Sequence, residues 1–189
     1  MAGWPVPARS DKLAPSVTQA RAPMNHDRYD NGYILGILQS VRTIAMVGAS
    51  AKWNRPSFFA MKYLQEKGYR VLPINPGLAG QEILGETVWP DLASTPGPFE
   101  MVDVFRASEY AGGLVDESIR LKDEKGIEVV WMQLGVRDAA AAERAEAAGL
   151  KVVMDRCPKI EFGRLNAELS WAGFDSKVIT ARRRRLKSA

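Results

Sequence analysis

The stretch "TIAMVGASAKWNRPSF", Thr43 to Phe58, decides the fold of this 189-residue chain. The run up to Gly48 is apolar on consecutive positions, which is typical of a strand buried on both faces of a parallel sheet. Small residues then predict a turn, and Pro56 suits the first turn of a helix, where a backbone N–H is not needed. The stretch therefore predicts a strand, a tight turn and a helix in succession.

The same alternation continues along the chain. Four further apolar runs predict strands, and segments with helical spacing or loops separate them. Strands that alternate with helices in this way predict a parallel sheet with right-handed crossovers. We expect a single α/β, Rossmann-like doubly wound domain with a mostly parallel five-stranded sheet. The four runs are "YRVLPINP", "MVDVF", "IEVVWMQLG" and "LKVVMD".

The helical segments carry their own boundary signals. A lead-in helix is predicted around residues 33–38, and Gly68 ends the helix that begins at Pro56. Asp138 is a candidate N-cap, since its carboxylate can accept a hydrogen bond from a free N–H of the first turn. Residues 77–100 are dense in glycine and proline, so we expect an irregular segment with a short helix or turn.

The two ends of the chain lie outside this pattern. Residues 1–26 are rich in proline, alanine and serine without periodicity, and we expect a disordered extension. The domain is predicted to span residues 27–168, and residues 169–189 form a basic tail that includes Arg182 to Arg185. An arginine run can bind nucleic acid. A solvated chain end is the simpler interpretation, so we do not expect a nucleic-acid partner.

Composition excludes several classes of protein. No apolar stretch reaches 18 residues, which excludes a membrane span. Cys157 is the only cysteine and His26 the only histidine, so an intrachain disulfide is excluded and a structural zinc site is disfavoured. The hydrophobic content of 46% and charged content of 25% are typical of soluble globular proteins, and we expect a cytoplasmic protein. The sequence does not decide whether the protein forms a homodimer.

The turn after the first strand has the features of an anion-binding site. Gly48 lacks a Cβ, so the backbone can come close to a phosphate group. The helix that begins at Pro56 offers unpaired N–H groups and the positive end of its dipole. Hydroxyl and cationic side chains add donors and charge to the same segment; these are Ser50, Lys52, Arg55 and Ser57.

The usual signatures of nucleotide-binding enzymes are missing from this turn. Only Gly48 matches the dinucleotide fingerprint G-x-G-x-x-G, and no G-K-[ST] follows it. NAD-binding proteins carry Asp or Glu after the second strand to hold the ribose, but Asn75 and Pro76 stand here. A ligand with an additional phosphate would meet no repulsion at this position, so NADP stays an alternative to a non-redox ligand.

Several segments together resemble the bacterial CoA-binding domain proteins, which are small relatives of the nucleotide-binding half of the succinyl-CoA synthetase alpha subunit. The resemblance covers roughly Tyr29 to Leu165 and implies a coenzyme A pocket at the carboxyl edge of the sheet. The segments that carry it are "IAMVGAS", "RPSFFAMKYLQEKGYRVLPINPG", "ILGETVWPDL", "MVDVFR", "VVWMQLG" and "GLKVVMDRCPKIEF".

The resemblance also implies roles for particular residues at that edge. Residues of the first turn would surround the pyrophosphate, those after the second strand would border the adenosine, and those after the fourth would line the pantetheine side. After the third strand, Phe105 would form an apolar wall and Arg106 a fixed positive charge for the phosphates. By group, the others are Gly48, Ala49, Ser50, Arg55, Pro56 and Ser57; Asn75 and Pro76; and Gln133 and Gly135.

No catalytic set can be assembled from these positions. His26 lies upstream of the predicted domain, where nothing positions it as a base. Cys157 follows the fifth strand, where Arg156 and Lys159 would lower the pKa of its thiol, although most free cysteines are buried and inert. We therefore expect a non-enzymatic protein that binds coenzyme A or an acyl-CoA as a stand-alone binding or regulatory module. An NADP-dependent oxidoreductase or a nucleotide sensor is the alternative.

Overall fold

The structure is a computed structural model and describes residues 24–166. Most of the predicted N-terminal extension and the whole of the predicted basic tail lie outside the described residues. Within them, the elements follow the order predicted from the apolar runs. The helices are α1 (Asn31–Ser40), α2 (Pro56–Glu66), α3 (Ser108–Lys125), α4 (Ala139–Ala147) and α5 (Pro158–Leu165). The strands are β1 (Thr43–Val47), β2 (Arg70–Ile74), β3 (Glu82–Ile83), β4 (Glu86–Thr87), β5 (Met101–Val104), β6 (Val129–Met132) and β7 (Lys151–Val153).

Five of these strands form one parallel sheet in the order β2-β1-β5-β6-β7. Ile44 of β1 lies opposite Val71 of β2 on one side and Met101 of β5 on the other. The direction in which successive strands are added reverses between β1 and β5, which makes this position the topological switch point. The prediction of a single Rossmann-like α/β domain with a parallel five-stranded sheet is confirmed.

Both faces of the sheet are covered by helices, so each strand contributes to two cores. Under α3 and α4, Val102 and Val130 of the central strands pack against Val115 and the small side chains of α4. On the opposite face, Met46 and Trp131 pack beneath α1, α2 and α5. Burial on both faces explains why the strands are apolar at consecutive positions.

A two-stranded hairpin interrupts the segment that the sequence predicted to be irregular. Strands β3 and β4 pair antiparallel, and Leu84 and Gly85 between them have φ values of 50° and 83°. Ile83 is buried against the α2 face of the core, which anchors the hairpin. The preceding turn, Pro76–Leu78, is a short 3-10 helix, as the prediction of a short helix or turn allowed.

Helix ends follow the predicted signals. The Asp138 carboxylate accepts a hydrogen bond from the Ala141 N–H at 3.0 Å, which confirms it as the N-cap of α4. Asp30 caps α1 in the same way, through the N–H of Gly32 at 2.7 Å. None of the helices between residues 24 and 166 is long and apolar enough to cross a membrane.

Two tyrosine hydroxyls cover the outer edge of β7, the last strand of the sheet. The Tyr33 hydroxyl accepts a hydrogen bond from the Val152 N–H at 3.1 Å and donates one to the Val152 carbonyl at 3.2 Å. The Tyr29 hydroxyl accepts from the Met154 N–H at 2.6 Å. An edge strand with unpaired backbone groups is a template for unwanted strand pairing, and these side chains occupy those groups.

Candidate functional site

The carboxyl ends of β1, β2 and β5 meet around a cavity of about 310 Å³ at the switch point. Open parallel sheets bind their ligands at this position, because the loops diverge there and leave a crevice. The wall on the sheet side comes from the tips of β1 and β2, and the opposite wall comes from α3. The lining residues are Val47, Gly48, Ile74, Pro76, Pro90, Asp91, Leu92, Arg106, Tyr110, Gly113, Leu114 and Glu117.

Three of the predicted site residues line this cavity, namely Gly48, Pro76 and Arg106. The Arg106 guanidinium lies 5.0 Å from the ring centre of Tyr110, which is a cation–π contact. Arg106 is exposed and its side chain passes close to Gly48. The structure therefore places a permanent positive charge where the cavity meets the turn after β1.

Gly48 is required for a reason other than the one inferred from the sequence. Its φ is +90°, and a Cβ at this position would lie 2.3 Å from the backbone oxygen of Phe105. The N–H groups of Gly48 and Ala49 both donate to the Ile74 carbonyl, at 2.9 and 3.3 Å. These two N–H groups are thus used inside the protein, and the turn offers donors to a ligand only from Ser50 onward.

The start of α2 retains the features of an anion site. Pro56 occupies its first turn, and Arg55 at the N-cap makes no capping hydrogen bond with its side chain. Lys52 and Arg55 are exposed, and Ser57 is buried at the helix start. The Ser50 hydroxyl oxygen accepts a hydrogen bond from the Lys52 N–H at 3.2 Å. The Arg55 N–H donates to the Lys52 carbonyl and the Phe58 N–H to the Arg55 carbonyl, so α2 offers an anion mainly its dipole and the two exposed cations.

Asn75 fastens the turns that follow β1 and β2 to each other. Its amide nitrogen donates to the Ala49 carbonyl at 2.8 Å, and its side-chain oxygen accepts from the Gly77 N–H at 3.0 Å. A carboxylate at this position could not make the first of these bonds, since it has no donor when ionised. The residue predicted to border the adenosine therefore also holds the neighbouring turn in place.

The remaining predicted residues are not among those that line the cavity. The Gln133 amide donates to both carboxyl oxygens of the fully buried Asp103, at 2.8 and 3.1 Å. The Gly135 N–H donates to the Asp155 carboxylate at 2.8 Å, and Phe105 packs on the core beneath α2. Burial raises the pKa of Asp103 to about 8. A role for Gln133 and Gly135 towards pantetheine stays a prediction.

Of the two interpretations of Cys157, an activated thiol and a buried unreactive one, the structure supports the second. The side chain is 8% exposed, and burial raises its pKa to about 11. Arg156 points elsewhere, since its guanidinium donates to the Asp155 carbonyl and lies 3.7 Å from Glu161. Lys159 lowers the pKa, but by less than burial raises it. Cys157 is therefore a packing residue.

His26 also differs from its prediction, because the fold does position it. Its Nδ1 lies 2.8 Å from the Tyr29 hydroxyl and its Nε2 lies 3.3 Å from the Glu146 carboxylate on α4. Burial lowers the pKa of His26. The ring helps to hold the segment before α1 against the β7 side of the domain, away from the cavity.

Sequence reasoning missed Asp91, Tyr110 and Glu117 as lining residues. Tyr110 and Glu117 lie seven positions apart on α3, which places them on one face of the helix. The spacing was visible, but nothing in the sequence shows which face of α3 meets the tip of β2. Asp91 lies in the irregular segment after β4, whose path depends on tertiary contacts.

Comparison with known proteins assigns the chain to a family. The sequence model of the CoA binding domain family matches residues 42–163, and the chain belongs to that family. The resemblance drawn from the sequence is confirmed. The match contains β1 and every strand tip that surrounds the cavity.

Individual relatives extend this assignment. The chain is 35% identical over 124 residues to the uncharacterized protein YneT of Bacillus subtilis, covering 66% of this chain and 87% of YneT. It is similar to the structure of a hypothetical protein from Pyrococcus horikoshii OT3, with 36% identity, a TM-score of 0.67 and coverage of 74% and 94% of the two chains. A structure of cell-free ID.343 from Thermus thermophilus gives 34% identity, a TM-score of 0.67 and coverage of 72% and 99%.

Proposed function

We propose that this protein binds coenzyme A or an acyl-CoA at the carboxyl edge of its sheet. The observation that carries the proposal is the cavity at the switch point, which is lined by Gly48 of the β1 turn and by Arg106. Family membership supports coenzyme A as the ligand. The geometry supports the proposal through the positive charge of Arg106 and the apolar residues that line the cavity.

The phosphates would lie between the start of α2 and Arg106. The dipole of α2 favours negative charge at the N-terminus of the helix. Arg106 can bind phosphate oxygens through two parallel N–H groups. Lys52 and Arg55 are exposed on the same turn and would add attraction that weakens with salt.

The protein would act as a stand-alone binding or regulatory module without its own catalytic set. The cavity lining contains neither histidine, cysteine, serine nor lysine among the described residues. Catalysis by a serine hydroxyl, a cysteine thiol or a lysine amine requires such a residue in the site. Cys157 does not supply it, because its thiol is buried and its pKa is raised to about 11.

Isothermal titration with coenzyme A tests the proposal, and the Arg106→Ala variant tests the placement. We expect Arg106→Ala to weaken binding roughly 10- to 100-fold, the size of a lost hydrogen bond between charged groups. Its thermal unfolding should change little, because Arg106 is exposed. Arg70→Ala is the matched control, since Arg70 pairs with Glu86 at the start of β2, at the opposite edge of the sheet.

One outcome would contradict the placement of the ligand, and another would contradict its identity. Unchanged affinity in Arg106→Ala would remove that residue from the site. Tighter binding of NADPH than of coenzyme A would favour the oxidoreductase alternative. Native mass spectrometry of the purified protein should show bound coenzyme A as an additional mass.

A further inference from the structure

The two ends of the cavity carry side chains of opposite charge. Arg106 lies beside Gly48 and the Tyr110 ring, while Glu117 lies two turns further along α3 and has Asp91 near it. From Tyr110 to Glu117, α3 advances about 10 Å, given a rise of 1.5 Å per residue. A phosphate is therefore attracted to the first end and repelled from the second.

Between these ends the walls are mainly apolar. Ile74 and Pro76 come from the tip of β2, Leu92 comes from the segment after β4, and Leu114 and Tyr110 come from α3. Such a slot suits a flat group with apolar faces, and its far end suits a group that donates hydrogen bonds. An amide chain fits less well, because its carbonyl oxygens would meet the carboxylates.

Glu117 is available to accept a hydrogen bond. Its carboxylate oxygen lies 3.7 Å from the Arg120 guanidinium, which is longer than a hydrogen bond. Burial raises the pKa of Glu117, and the nearby Asp91 raises it further. The Asp91 carboxylate already accepts a hydrogen bond from the Ser94 N–H at 2.7 Å. Of the two carboxylates at this end, Glu117 is therefore the better placed to accept a hydrogen bond from a ligand.

We propose that the carboxylate of Glu117 accepts a hydrogen bond from the exocyclic amine of adenine and so selects adenine-containing ligands. This inference rests on the proposed function for the identity of the whole ligand. It deepens that function by naming the part of the ligand that fills the cavity. The base would lie between the Tyr110 and Leu114 side and the tip of β2, with its amine at the Glu117 end.

The test compares ADP with purine riboside 5′-diphosphate, in which C6 carries hydrogen in place of the amine. Both are titrated into the full chain by calorimetry, beside coenzyme A. We expect ADP to bind roughly 10- to 100-fold more tightly than the purine analogue, the range of a hydrogen bond to a charged group. Glu117→Ala should reduce this ratio to about 1.

Two further variants separate recognition from structure. Glu117→Gln keeps an acceptor oxygen and should retain part of the preference. Asp123→Asn is the matched control on α3, because Asp123 is 95% exposed and lies 3.9 Å from Lys122. It should leave the ratio unchanged. Thermal unfolding of each variant shows whether the fold is intact.

The outcomes distinguish this inference from the proposed function. Equal affinities for the two diphosphates, or an unchanged ratio in Glu117→Ala, would overturn the role of Glu117 while coenzyme A binding stands. Preference for ADP without coenzyme A binding would support Glu117 and overturn the proposed function. Absence of binding by all three ligands would overturn both.

Discussion

At Gly48 the chain leaves β1 with a φ of +90°, and the Phe105 carbonyl occupies the space that a Cβ would need. The tip of β2 is fastened to this turn, because the Ile74 carbonyl accepts its N–H groups and the Asn75 amide donates to the Ala49 carbonyl. A single residue type thus determines how closely β1, β2 and β5 approach at the cavity.

Gly48→Ala tests this close approach. Left-handed backbone costs an L-residue about 1–2 kcal/mol, and overlap with the Phe105 oxygen should add ~1–3 kcal/mol, as overpacking does. Gly68→Ala is the control, since Gly68 has a φ of +91° with nothing within 4 Å of the added Cβ. Urea unfolding measures both. An equal loss of unfolding free energy in the two variants would show that the contact with the Phe105 oxygen can relax without cost.

Three of the thirteen site residues selected from the sequence line the cavity, namely Gly48, Pro76 and Arg106. The internal use of the Gly48 N–H and the burial of Gln133 against Asp103 could not be predicted. Both depend on contacts between residues that lie about 26 to 30 positions apart.

Among the elements, β7 depends most on a distant segment. It pairs with β6 on one side only, and the hydroxyls of Tyr29 and Tyr33 take hydrogen bonds along its other side. These tyrosines precede β7 by more than 100 residues in the chain. The segment from residue 26 to α1 therefore stabilises the far edge of the sheet.

Tyr33→Phe should destabilise the fold by about 1–3 kcal/mol, since each of the two hydrogen bonds to Val152 contributes about 0.5–1.5 kcal/mol. The Val152 amide should also exchange faster with deuterium, which NMR can follow residue by residue. Tyr110→Phe is the control, because the Tyr110 side chain is half exposed. Unchanged exchange at Val152 would show that water replaces the hydroxyl without loss.

Elements with a clear period were predictable, and the others were not. Four consecutive buried positions in β5 and β6 and the capping carboxylate of Asp138 are visible in the chain itself. The β3–β4 hairpin has two residues in each strand, too few to show any period. The hairpin is held in place because Ile83 is buried in the core.

For the whole molecule, the buried Asp103 links folding to pH. The pKa of its carboxyl group is raised from 3.8 to about 8 in the fold, because burial disfavours the charge. Between these values the folded protein holds a proton that the unfolded chain has released. The contribution of Asp103 to the free energy of unfolding therefore falls as pH rises from 3.8 to about 8.

Asp103→Asn should remove this dependence. The variant should be less sensitive than the native protein to a change from pH 5 to pH 8, because asparagine does not titrate. Gln133 can turn its amide and accept a hydrogen bond from the new residue. Urea unfolding at a series of pH values provides the comparison, with Asp123→Asn as an exposed control. An equal pH slope in native protein and Asp103→Asn would contradict the assignment.

The sequence by itself determined the class of fold, the succession of its main strands and helices, and the turn that begins the site. These features follow from local pattern: apolar runs, proline and glycine at element ends, and capping side chains. Tertiary structure decided which face of α3 meets the tip of β2, and so brought Glu117 and Tyr110 to the cavity. It also buried Cys157 and Asp103 and raised the pKa of both. Burial and pairing are set by neighbours distant in the chain, and no local pattern encodes them.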